Sequence, residues 1–112
     1  MMNKFELFTL IYMALDAFYD QCNTPEEINV FLSDMCPFTF KDENSAVPGV
    51  YQDFNSFIGD RQISIENSFE LAKNYIEHLS DVDVRAAFND RLKNVWIDSC
   101  KEFLALPHKG KK

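Results

Sequence analysis

The chain has 112 residues, 46% of them apolar, and eleven Lys plus Arg stand against eighteen Asp plus Glu for a formal net charge of −7. That length makes one domain, and the apolar share belongs to a folded chain rather than a disordered one. Three Gly and four Pro exclude fibrous and low-complexity classes, and the acid excess argues against a nucleic-acid surface, because phosphate affinity rests on Lys and Arg.

The first predicted helix covers 4–21. Phe5, Phe8, Tyr12, Leu15, Tyr19 and Cys22 step by three and four onto one face. Leu7, Leu10, Ile11, Ala14 and Phe18 widen that stripe nearly all round, which marks a central helix or one in an oligomer interface. The apolar run 7–15 is too short to span a membrane, and no small-residue cleavage site follows it. The second helix starts at Thr24 as N-cap, with Pro25 at its first position and Glu26 and Glu27 in its first turn. Its buried face is Ile28, Phe31, Leu32 and Met35, and Cys36-Pro37 stops it. Residues 37–47 form a connector in which Phe38-Thr39-Phe40 is expected to be extended and 41–45 exposed.

A third helix is predicted over 48–58, with Gly59 as its C-terminal cap. Ser64 caps a fourth over 65–79, whose core face is Ile65, Phe69, Ala72, Ile76 and Leu79. Ser80 and Asp83 have capping-box spacing and open a last helix to residue 106, expected to kink or split at Asn89-Asp90. Phe88, Leu92, Val95, Trp96, Cys100, Phe103 and Leu104 line it, and Pro107 ends it. The fold class is all-α, a compact bundle of four to five short helices in a single domain, 1–107. The five-residue tail, 108–112, is basic and expected to be mobile.

Sixteen aromatic residues supply a core that needs no disulfide and no metal. Cys22, Cys36 and Cys100 are an odd, widely spaced set, read as reduced thiols in a cytoplasmic protein. His78 reads as an isolated surface residue: Tyr75 stands where a Glu-x-x-His metal motif needs Glu, and no four-ligand zinc spacing exists. No phosphate-binding glycine loop or nucleophile motif is present, so neither a cofactor nor an enzymatic activity is expected.

The charge is unevenly placed. Residues 1–60 hold ten acids and two bases, leaving −8; residues 61–107 carry −2; the tail adds +3. Three tail lysines gain roughly 1 kcal/mol each near an anionic surface, too little to hold so acidic a body there. Neither a membrane nor a nucleic acid is therefore an expected partner. The favoured expectation is a protein-interaction module of the adaptor or immunity type. It would present Asp16, Asp20, Glu26, Glu27, Asp34, Asp42, Glu43 and Asp53 to a basic protein. The competing expectation is a ligand-binding or catalytic bundle with a pocket lined by Tyr12, Tyr19, Tyr51, Phe54 and Trp96. A homodimer through the first helix is a further option, since its apolar surface could exceed what one small bundle covers.

Overall fold

The first helix, α1 (Lys4–Phe18), starts at Asn3. The Asn3 side chain accepts from the Glu6 N–H at 2.8 Å, and Glu6 Oε1 accepts from the Asn3 N–H at 2.9 Å. This reciprocal pair is a capping box. Every residue from Phe5 to Ile11 is buried, because α1 runs through the middle of the molecule against α2 (Glu26–Met35), α3 (Pro48–Ile58), α4 (Ile65–His78) and a 3₁₀ turn at Arg85–Ala87. The last helix, α5 (Asp90–Ala105), packs on α4. This computed structural model describes residues 2–20 and 24–111, and among them all regular structure is helical. The Cα radius of gyration is 13.2 Å, which is the compactness of a single domain of this length.

Rings fill the core in two groups. Phe8 meets Tyr51 and Phe54 at 5.0 and 5.2 Å between centroids, and Phe54 meets Tyr75 edge-on at 4.9 Å. Farther along, Phe69, Phe88 and Trp96 form a triangle with centroids 5.7–5.8 Å apart. The Trp96 indole N–H donates to Ser68 Oγ at 2.7 Å, and Ser68 Oγ donates to the Ile65 carbonyl at 2.8 Å. The one polar atom of that ring is therefore satisfied inside the core.

Several local expectations change. Pro25, not Thr24, holds the N-cap position of α2 and gives no side-chain cap, while the Thr24 hydroxyl donates to the Tyr19 carbonyl at the end of α1. Cys22 and the end of the predicted first helix at Gln21 lie outside the described residues. Phe38-Thr39-Phe40 is a turn rather than an extended segment, with both rings exposed. Ser45, expected outside, is fully buried and accepts from the Tyr51 N–H at 2.9 Å, anchoring the start of α3. Ser80 and Asp83 do not begin a helix. Asp83 instead turns to Arg85, and the long last helix breaks at Phe88, with Asn89 accepting from the Leu92 N–H to cap α5. Of the predicted last helix only the part after Asn89 is α-helical, and a three-residue 3₁₀ turn stands before it. Val95, predicted to face the core, is half exposed.

In the tail, His108, Lys109 and Gly110 are docked on the body rather than solvated. His108 Nε2 lies 2.6 Å from Glu6 Oε2, and both side chains are 7% exposed. Its Nδ1 lies 2.7 Å from the Leu106 carbonyl. Carbonyl and carboxylate both accept, so both bonds form together when both ring nitrogens carry protons. Lys109 Nζ donates to the Pro37 and Phe40 carbonyls and lies 5.3 Å from the centre of the Phe5 ring. The Gly110 carbonyl accepts from Asn3 Nδ2 at 2.9 Å. Gly110 has φ 88°, and a Cβ there would come within 2.7 Å of Phe5, so the close approach requires glycine. The start of the chain supplies a buried carboxylate and a ring, and that is what holds the basic end.

Candidate functional site

α2, α3 and the end of α4 leave an open groove of about 560 Å³ between them. Two backbone bonds fix its walls: the Ala46 N–H donates to the Cys36 carbonyl and the Val47 N–H to the Asp34 carbonyl, both at 2.9 Å. They tie the start of α3 to the end of α2. The floor is Val30, Phe31, Val47, Val50, Leu79 and Val82. Val30 is 52% exposed and Val47 45%, whereas Val82 is buried, so the apolar lining is open to solvent in part. Glu27, Asp34, Asp53 and Asp81 line it as well, as do His78 and Tyr75.

No Lys or Arg lines the groove among the described residues. The ion pairs among those residues are Arg85–Asp83 and His108–Glu6, so none of the four groove carboxylates is in an ion pair with another described residue. Burial pushes the Tyr75 phenol well above its ordinary range, and the nearby Asp53 carboxylate adds to the shift.

Three of the eight predicted acids, Glu27, Asp34 and Asp53, are therefore brought to one place. Asp16, Asp20, Glu26, Asp42 and Glu43 are exposed but do not line the groove. Glu43 instead lies near Gly110 of the tail. Asp81 was missed, because residues 80–83 read as a helix start; they are a non-helical segment that walls the groove. His78 is exposed as expected, with its ring 4.8 Å from Phe57.

The five aromatic residues of the competing expectation do not share a pocket. Phe54 and Trp96 are buried in the two separate ring groups, Tyr51 packs on Phe5 and Phe8, Tyr12 on Phe38, and Tyr19 on Phe18. The apolar excess of α1 that suggested a dimer is covered by the chain's own helices, leaving Met13 and Phe18 exposed.

No helix among the described residues is long and apolar enough to cross a membrane. No group of three or more His, Cys, Asp or Glu among them is placed to hold a metal ion. Comparison with protein-family models, with curated proteins and with solved structures found no match to this chain.

Proposed function

We propose that this chain is a protein-interaction module, of the adaptor or immunity type, that docks a cationic protein in the groove between α2, α3 and residues 79–82. One observation carries the reading: a partly exposed apolar groove lined by four carboxylates, none of them in an ion pair among the described residues. Apolar contact supplies affinity in such a site, and the charge of one sign steers and selects an oppositely charged partner. Unbridged thiols at Cys36 and Cys100 fit a reducing compartment such as the cytosol.

The test is capture of partners on immobilised protein, wild type beside the triple variant Glu27→Gln/Asp34→Asn/Asp53→Asn, at low and high salt. The expected result is a basic protein held by wild type, lost from the variant and released by salt. A partner retained equally by both proteins, or indifferent to salt, overturns the proposal.

A further inference from the structure

The walls of the groove restrict what shape its occupant can take. α2 and α3 present side chains, and their interior backbone groups are bonded within the helices. No strand edge exists among the described residues to pair with an extended peptide. An extended segment lying on Val30, Val47 and Val82 would lose water from its N–H and C=O groups and find non-helical backbone beside it only along the short wall 80–82. A helix satisfies its own backbone and brings one apolar face.

We infer, resting on the docking function proposed above, that the groove takes an amphipathic cationic helix, which packs as an added member of the bundle beside α2 and α3. The acids set its pattern. Glu27 and Asp34 are seven residues apart on α2, which places them on the same face about 10 Å apart along the axis. Lys or Arg residues seven apart on the incoming helix match them, with apolar residues three and four positions between to meet the floor. Asp53 on α3 and Asp81 beyond α4 extend the same sign to other parts of the lining.

Gly49 makes the inference testable. It lines the groove near the start of α3, and a Cβ added there meets nothing within 4 Å. The first carbon of a larger side chain there clashes with nothing, and Gly49→Trp is the variant chosen to fill the groove. Val30→Arg, at an exposed position on the floor, places a cation there by a second route. The probe is an 18-residue Leu/Lys peptide with apolar residues at helical spacing, compared with an isomer of the same composition that alternates Leu and Lys. Binding is followed by fluorescence anisotropy and helix formation by circular dichroism.

The helical peptide is expected to bind wild type with a gain in ellipticity, at least tenfold more tightly than the alternating isomer. Each variant is expected to weaken it at least tenfold while keeping the wild-type spectrum. Equal binding of the two isomers, or binding unchanged in both variants, overturns the helical occupant. Failure of wild type to bind either peptide overturns the docking function itself. A wild-type dimer in sedimentation that Gly49→Trp dissociates would assign the groove to a second copy, and so would also overturn the inference.

Discussion

Buried or half-buried polar side chains account for the sharpest expectations at the scale of single residues. All four tyrosines, Tyr12, Tyr19, Tyr51 and Tyr75, have phenols raised from the ordinary value of 10.0, in each case chiefly by burial. Tyr12 is pushed up to about 12, with the Cys36 thiol beside it adding to the effect. A raised folded value means that the neutral phenol stabilises the fold fully below pH 10 and that this is lost as pH rises through about 12. Absorbance at 295 nm should therefore show less tyrosinate in the native protein at pH 10 than in denaturant, where about half is ionised. Equal ionisation in the two states would contradict the packing of these rings. Glu6 and His108 give a second expectation. His108→Ala leaves the Glu6 carboxylate buried without its ring partner and should lower stability by about 2–4 kcal/mol in urea unfolding. Glu6→Gln keeps a side-chain carbonyl that can still accept from Asn3, so a smaller loss of about 1 kcal/mol is expected there.

Helices were legible where apolar periodicity and a capping side chain agreed, as at α3, whose span was read correctly, and at Ser64 before α4. Thr24 misled because its hydroxyl serves the carbonyl of Tyr19 at the end of α1, a partner that local spacing does not reveal. Ser80 and Asp83 misled for a similar reason: Arg85 takes both oxygens of the Asp83 carboxylate at 3.0 Å. That carboxyl is held down at about 2 by hydrogen bonds to Arg85. The caps that do form should be measurable. Ser64→Ala and Asn89→Ala each remove the acceptor of a helical N–H and should lower stability by about 1 kcal/mol. Thermal unfolding that leaves either variant unchanged would argue that these helix ends fray without penalty.

The convergence of acids is only half visible in the chain as written. Glu27 and Asp34 share a face by their spacing on α2, whereas Asp53 and Asp81 join them through tertiary packing. Like charges facing an unfilled groove oppose one another. The triple variant Glu27→Gln/Asp34→Asn/Asp53→Asn should therefore match or exceed wild type in Tm while losing its partner. A fall of several degrees would instead mean that these carboxylates support the fold. The docked tail was hidden in a different way, since nothing near His108 in sequence announces a carboxylate 102 residues away. That separation also bears on the order of folding. Contacts closed over most of the chain reward the fold only after the intervening helices have condensed, so the strap should be absent from the rate-limiting barrier. Loosening it should then leave the folding rate nearly unchanged and appear as faster unfolding. The His108→Ala chevron should shift in its unfolding limb alone, making this contact a brake on opening rather than a guide to assembly.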